Sequence, residues 1–591
     1  MTAVQKVSDR VTPVGVVPGG KRAWRVLFVL ALAVGVALRA PLYFANPSLL
    51  LDEARLALNI ASRDFYELTL PLDYDQTAPL FFLWGAKALA LVFGVNEYAL
   101  RAIPFAAGVA MLPVAYLIVR RVMGHKAAVL ATALAAVSPL HLQYVRQVKP
   151  YTLDGLVALG LLWLALDWVD APRSARAWRR LVVAGALAIW LSTPAALVLA
   201  GMAPLLWFAR GHERPPRAWQ LAAGAAWTAS FGPAFVWIYK PAADNQYLKE
   251  FWGGSMLTIW EPGAAARARQ AVREFVWQIF GGGSTEPPLK VGDYLAIDGV
   301  VLAVLLLAAF GLRRTAREQG WTRALLVVAP VLGAFAASLV GGYPIAGRIM
   351  LFAATGVIAA VASGAVGVLE ALRPRLRPPA AAFAFAALLG LSLPLDLTLA
   401  THPLVFEHVR SAVAEYDRQA AFNEPVYVFT AALPAWTFYT TDWGAPNHAR
   451  LRRMARLGSF GGPAFENARP RSRPLMPLDS VGMTLQLRGT TEIIGAYSGA
   501  QWRSGIGNVQ FHPDTNWTVH EARRIVAAGR NAGVIWVLVI RTLGLERQLF
   551  DEMHLCLSAV FQGRGVLLAR FVPPAPGVVC DAYRAPSEEG R

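Results

Sequence analysis

The sequence predicts a polytopic α-helical membrane protein that ends in a small α/β domain. Apolar stretches of bilayer-crossing length recur as far as about residue 400, and beyond it the pattern changes to short runs rich in Val, Ile and aromatics. Basic clusters punctuate the apolar part at Lys21/Arg22/Arg25, Arg120/Arg121/Lys126, Arg173/Arg176/Arg179/Arg180, Arg210/Arg214/Arg217, Arg313/Arg314/Arg317 and Arg373/Arg375/Arg377. Such residues collect on the cytoplasmic side of short membrane loops, and spans that alternate from an inside start put all of these clusters there. Composition agrees: at 591 residues, 56% hydrophobic and 16% charged, the chain is too apolar and too long for one soluble domain. The net charge of +18 lies largely in the short loops, so topology accounts for it and no nucleic-acid partner is expected.

Residues 1–20 are polar with Pro and Gly and read as a disordered cytoplasmic tail. The apolar segment after them has no small-residue cleavage site and more spans follow, so it reads as an anchor rather than a signal peptide. Residues 21–400 form the membrane domain, with about eleven spans at 25–44, 98–119, 127–141, 151–169, 181–193, 194–209, 218–239, 294–311, 322–341, 349–370 and 380–399. The stretch 181–209 could be one helix broken at Pro194, but two spans are required to keep both flanking Arg clusters inside. Residues 79–93 are short, carry Lys87 and would invert everything downstream if they crossed. They are expected to lie at the outer interface with Phe81, Phe82 and Trp84 against headgroups. Leu56, Ile60 and Leu68 recur on one face of the preceding stretch, so the first extracytoplasmic loop, 45–97, is built from interfacial helices. Residues 401–591 form the α/β domain: 424–443 reads as strand, turn and short helix, and 532–572 as strand, helix and strand. An odd number of spans puts this domain outside the cytoplasm, where Cys556 and Cys580 could pair. The alternative is two unpaired core thiols.

The polar residues able to do chemistry lie in the extracytoplasmic segments. Asp52 and Glu53 follow the first span, where a carboxylate could take a proton from an acceptor hydroxyl near the membrane surface. An acidic pair favoured by the dipole of a helix start is the alternative. Asp73, Asp75 and Gln76 add to the same loop. In the second segment, Pro150 suits the first position of a helix running inward, so its positive end lies beside Arg146 and Lys149, a setting for a lipid phosphate. Snorkelling to headgroups would equally account for the two cations. Asp154 lies one turn into that helix, next to Tyr151, and an acid within a span is functional by default, though a structural pair with a basic neighbour is the other reading. Tyr343 and Arg348 stand at the head of a late span, Arg348 as a second phosphate ligand or an interfacial anchor. Tyr247, Trp252 and Trp260 of the loop 240–293 are candidates for stacking on a sugar or covering a lipid chain, and His141 and His402 read as structural. No metal ion and no cofactor is expected.

The order of these features resembles the GT-C glycosyltransferases of the protein O-mannosyltransferase type, glycosyltransferase family 39. The segments LLLDEARLALNI, DYDQTAPLFFLW and QVKPYTLDGLVAL look like its bacterial members of unassigned substrate, with the resemblance specific over about 25–170. It implies an inverting transferase of the bacterial cytoplasmic membrane. Such an enzyme moves a sugar from a polyprenyl-phosphate donor to an extracytoplasmic protein, cell-envelope glycan or lipid. Carried over, Asp52 is the base with Glu53 beside it, Lys149 holds the donor phosphate in a basic-x4-Asp pattern with Asp154, and Arg348 matches a basic residue at the head of a late span. Lipid A aminoarabinose transferases have a Lys-Pro-Pro-like turn where this chain has Gln76-Thr77-Ala78-Pro79, so a lipid A acceptor is not implied. The competing reading is a transporter or flippase of a lipid-linked substrate, which would call for inverted repeats with polar groups near the midplane.

Overall fold

The computed structural model describes residues 18–74, 76–210, 214–281, 291–372, 407–421, 424–429, 431–441, 443, 484–487, 490–494, 517–540, 545–578 and 580. Most of the expected tail 1–20, the expected span 380–399, Asp75 and His402 lie outside these residues.

The membrane domain comprises α1 (Pro18–Phe44), α2 (Leu51–Ser62), α3 (Leu80–Phe93), α4 (Glu97–Met123), α5 (His125–Ala136), α6 (Pro139–Tyr144), α7 (Tyr151–Asp170), α8 (Ala175–Leu191), α9 (Ala195–Trp207) and α10 (Arg217–Ala234). It continues through α11 (Lys240–Asp244), α12 (Gln246–Gly253), α13 (Ala264–Phe280), α14 (Val291–Gln319), α15 (Trp321–Val327), α16 (Ala329–Leu339) and α17 (Leu351–Leu372). Among the described residues six helices are long and apolar enough to cross a membrane, and α15 with α16, bent by 68°, would make a seventh.

Long-range contacts gather the basic clusters at one end of the bundle. Trp24 packs edge-on to His125 at 6.4 Å. Arg121 reaches Asp167 at 2.7 Å, and Arg323 reaches Asp170 at 2.7 Å. Glu370 receives both Lys126 and Arg314, at 2.6 and 2.8 Å. The Trp178 indole donates to the Trp219 carbonyl at 2.9 Å, and Arg217 donates to the Trp207 carbonyl at 2.6 Å. Five clusters therefore share an end. The sixth lies outside the described residues, but Glu370 immediately before it is at that end too.

This geometry decides the stretch 181–209. Beyond its start near the basic end, α8 runs to a turn whose Thr193 carbonyl accepts from Tyr239, at the far end of the α10 segment, at 2.6 Å. The chain then returns along α9 to Trp207 beside Arg217. Pro194 sits in a turn between antiparallel helices, not at a kink. Helix α9 crosses α16 so closely that a Cβ on Gly201 would lie 2.1 Å from the Ala329 carbonyl, and one on Gly333 2.0 Å from that of Leu197.

The α/β domain contains α18 (Val409–Gln419), β1 (Val426–Val428), α19 (Leu433–Thr440), β2 (Thr484–Leu487), β3 (Thr490–Ile494), α20 (Trp517–Gly529), β4 (Ile535–Ile540), α21 (Leu545–Met553), β5 (Cys556–Gly563) and β6 (Val566–Val572). The sheet order is β2-β3-β1-β4-β6-β5, with β1 parallel to β3 and β4 and the remaining pairs antiparallel. Continuous apolar runs become the central strands, and all six residues of β4 are buried. The sequence reading did not separate β5, an edge strand of alternating exposure that only pairing with β6 makes recognisable. Cys556 and Cys580 form a disulfide that ties β5 to the segment after β6. With a sequence separation of 24, loop-closure entropy gives the bridge about 3 kcal/mol. Cys580→Ser is therefore expected to lower the thermal midpoint of this domain, and reductant should then have no further effect.

The expected boundary near residue 400 is not a boundary in packing. Leu49, Leu56, Ile60, Leu68, Phe82 and Leu100 share one buried core with Val428, Trp436 and Ile540 of the α/β domain. Phe82 corrects an expectation: it is fully buried rather than set against headgroups, because it shares with Ala86 and Ala90 the α3 face turned into the protein. The exposed large apolar residues of α3 are instead Leu91, Val92 and Phe93. Lys87 is buried as well, donating at 3.0 Å to the Ala61 carbonyl in the last turn of α2.

Candidate active site

At the end of the bundle opposite the basic clusters, three distant segments bring charged groups together. Asp52 stands in the first turn of α2, and its Oδ2 lies 3.4 Å from Nη1 of Arg348 in the 3₁₀ turn Gly347–Met350 ahead of α17. Both side chains are part-exposed, at 37% and 29%, so the pair faces an accessible space. Lys149 comes from the loop before α7. Its ammonium donates at 2.7 Å to Oε1 of Gln76, and Gln76 in turn donates at 3.0 Å to the Tyr74 carbonyl. Tyr74 holds the left-handed conformation (φ +64°) that turns this loop toward Lys149. Burial pushes the Lys149 ammonium down to about 8, with Asp52 and Glu53 opposing the shift and Arg348 and Arg55 adding to it. Asp52, Lys149 and Arg348 are thus one electrostatic unit.

Tyr144 and Tyr151 lie against this unit with ring centroids 5.3 Å apart, and the Arg348 guanidinium is 5.5 Å from the Trp252 ring. Among the described aromatics singled out in the 240–293 loop, Trp252 reaches the site. Trp260 is 64% exposed, and the Tyr247 side chain lies outside the described residues. The Tyr343 hydroxyl donates to the Ile349 carbonyl at 2.8 Å, fixing the turn that presents Arg348, and burial holds that phenol well above its ordinary range.

Other expected residues fall elsewhere. Glu53 is buried at 2% exposure and faces away from Asp52 into α4. Its two oxygens accept from Arg101 at 3.1 and 3.2 Å, and also from the backbone N–H groups of Val148 and Leu50, at 2.8 and 3.1 Å. Arg146 is buried, and burial pushes its guanidinium down to about 10, with Glu53 opposing the shift and Arg101 adding to it. Asp73 pairs with Arg63 at 2.9 Å and exchanges backbone bonds with the Asn59 side chain, which closes the loop after α2. Asp154 is buried in the first turn of α7, and its Oδ1 has no hydrogen-bond partner among the described residues. It is not paired with a basic neighbour there. His141 is buried and hydrogen-bonded to Ser138 and Thr355.

Sequence reasoning missed Arg101, Glu407 and Tyr439. Arg101 carried a signal, a cation within an apolar span. The other two lie in the α/β domain, more than 350 residues from the backbone they touch at and just before the start of α2, and nothing local marks them.

The family described as dolichyl-phosphate-mannose-protein mannosyltransferase matches residues 77–237, which include Lys149 and Asp154. This match, over about a quarter of the chain, agrees with the sequence resemblance in that stretch. Among solved structures, the chain is similar to apo ArnT from Cupriavidus metallidurans at 15% identity and a TM-score of 0.48, covering 93% of this chain and 98% of that one. For ArnT of the same organism bound to undecaprenyl phosphate the values are 14%, 0.46, 93% and 98%. For the Archaeoglobus fulgidus oligosaccharyltransferase in complex with zinc and sulfate they are 12%, 0.41, 92% and 72%. No curated protein matches.

Proposed function

We propose that this protein is an integral-membrane glycosyltransferase. It transfers a sugar from a polyprenyl-phosphate donor to an extracytoplasmic acceptor with inversion at the anomeric carbon. One observation carries the reading: a part-exposed carboxylate, Asp52, stands 3.4 Å from Arg348 within the field of Lys149, at the end of the bundle opposite the basic clusters. That opposition supports a cytoplasmic amino terminus and an extracytoplasmic site in a bacterial cytoplasmic membrane.

The chemistry follows from the charges. A sugar on a lipid phosphate carries its own leaving group, so the protein need only orient an acceptor hydroxyl opposite the phosphate, take its proton and neutralise the departing charge. Asp52 accepts the proton. Lys149 and Arg348, with the positive end of α7 beside them, hold the phosphate oxygens. Gln76 aims Lys149, Tyr343 secures the Arg348 turn, and Glu53 braces α2 rather than touching substrate.

Purified protein should transfer labelled sugar from one member of a panel of polyprenyl-phosphate sugars into a native membrane extract. Turnover from none of them, with the extract competent in parallel, would sink the reading.

A pH dependence follows from Lys149. The free ammonium titrates near 8, so the cation is present below that pH and is lost as pH rises through it. The donor kcat/KM is expected to fall about tenfold per pH unit on the alkaline side. Bound phosphate raises the ammonium pKa again, so kcat should fall less. Lys149→Arg stays charged and should flatten this limb; an unchanged limb in that variant assigns it to another group.

A further inference from the structure

We propose that Glu407 and Tyr439 of the α/β domain are positioning residues for transfer, because they hold the backbone that sets where Asp52 stands. The proposal rests on the reading of Asp52 given above.

Helix α2 begins at Leu51, one residue before Asp52. The N–H groups entering such a helix have no partner within it and must find one elsewhere. Here three successive ones are taken by side chains. Leu49 N–H donates to the Tyr439 hydroxyl at 2.7 Å, Leu50 N–H to Glu53 at 3.1 Å, and Leu51 N–H to Oε2 of Glu407 at 2.8 Å. Two of the three acceptors therefore belong to the α/β domain.

Glu407 is 1% exposed, so its carboxylate is committed inside the protein rather than solvated. The Tyr439 hydroxyl also donates to Oε1 of Glu97 at 2.9 Å, and Arg410 donates to the same oxygen at 2.8 Å. The second Arg410 nitrogen holds the Asn46 carbonyl at 2.6 Å, where the chain turns through a left-handed residue (φ +42°). From the other side, Arg101 grips the Pro47 carbonyl at 2.8 Å. The link Asn46–Leu51 is thus clamped between α4 and the α/β domain.

The consequence is mechanical. Asp52 is part-exposed and meets Arg348 at 3.4 Å, so this contact depends on the path of the backbone that carries it. A displacement of about 1 Å can cost on the order of a hundredfold in rate. The α/β domain then acts as one wall of the catalytic frame and not as an appended module.

The test uses the full-length protein and the transfer assay. Glu407→Ala and Tyr439→Phe are each expected to lower kcat about ten- to a hundredfold with donor KM changed less than about threefold. Glu407→Gln keeps an acceptor oxygen and should recover most of the loss. Amide exchange in a peptide covering 46–54 should quicken in Glu407→Ala while the α4 and α7 peptides are unchanged. In an Asp52→Asn background, adding Glu407→Ala should lower the residual rate no further, since both changes act through one group. A loss that multiplies in that background, or no rescue by Gln, overturns the proposal and leaves Glu407 a general stabiliser. If Asp52→Asn itself transfers at the normal rate, the reading of Asp52 has failed, and with it this assignment. Full activity in both Glu407→Ala and Tyr439→Phe, with Asp52→Asn inactive, overturns the positioning role alone.

Discussion

Replacing Asp52 by Asn is expected to lower sugar transfer by about 10²- to 10⁴-fold, the range for removing a general base, while the protein keeps its melting temperature. The two halves of this expectation have separate causes. Asn matches Asp in size but cannot take the acceptor proton at neutral pH, so the loss falls on kcat. Stability is spared because the partner of the carboxylate, Arg348, stands 3.4 Å away with both side chains part-exposed. Pairs of that kind contribute about 0–1 kcal/mol. Removing the carboxylate also frees Arg348 for the donor phosphate, so donor KM should hold or fall. Wild-type turnover by the variant would remove Asp52 from the mechanism, and a lost melting transition would make it a structural residue.

The adjacent carboxylate should behave in the opposite way. Glu53→Ala leaves the Arg101 guanidinium, 1% exposed, without its carboxylate, and also strips acceptors from the Val148 and Leu50 N–H groups. Breaking a buried pair from one side costs about 3–5 kcal/mol, because the remaining charge stays buried and unpaired. A large fall in the unfolding midpoint is therefore expected. Any loss of transfer should be shared by every variant that loosens this region. Removing both charges as Glu53→Met with Arg101→Met should restore part of the stability, since an apolar pair has no orphaned charge. If Glu53→Ala melts normally but is inactive, Glu53 returns to the catalytic role that its place beside Asp52 suggested from sequence.

The contrast between these neighbours shows what residue order can convey. Asp-Glu just beyond a span reads as a pair of acids at the membrane surface, and both become candidates. Successive helix residues, however, point about 100° apart, so one meets Arg348 and the other enters α4. Lys149 and Arg146 divide in the same way. Both were legible as cations near a helix start, but Lys149 lies in the field of Asp52 and Arg348, while Arg146 lies in that of Glu53 and Arg101.

The turn at Pro194 was decided by packing, but hydropathy and the placement of Arg and Lys were sufficient for a helical bundle with two ends. These are properties of single segments meeting a bilayer, and each segment carries its own signal. The helix at 151–170 and the strands near 426, 535 and 566 were legible for the same reason: apolar periodicity is local. Long-range pairing is not. The core shared by the first loop and the α/β domain, and the grip of Glu407 and Tyr439 on the start of α2, join residues hundreds of positions apart. Hydrogen bonds and ion pairs are specified by distance and direction in space. Which cation meets which carboxylate, and which acid is left facing an accessible space, came from the tertiary fold.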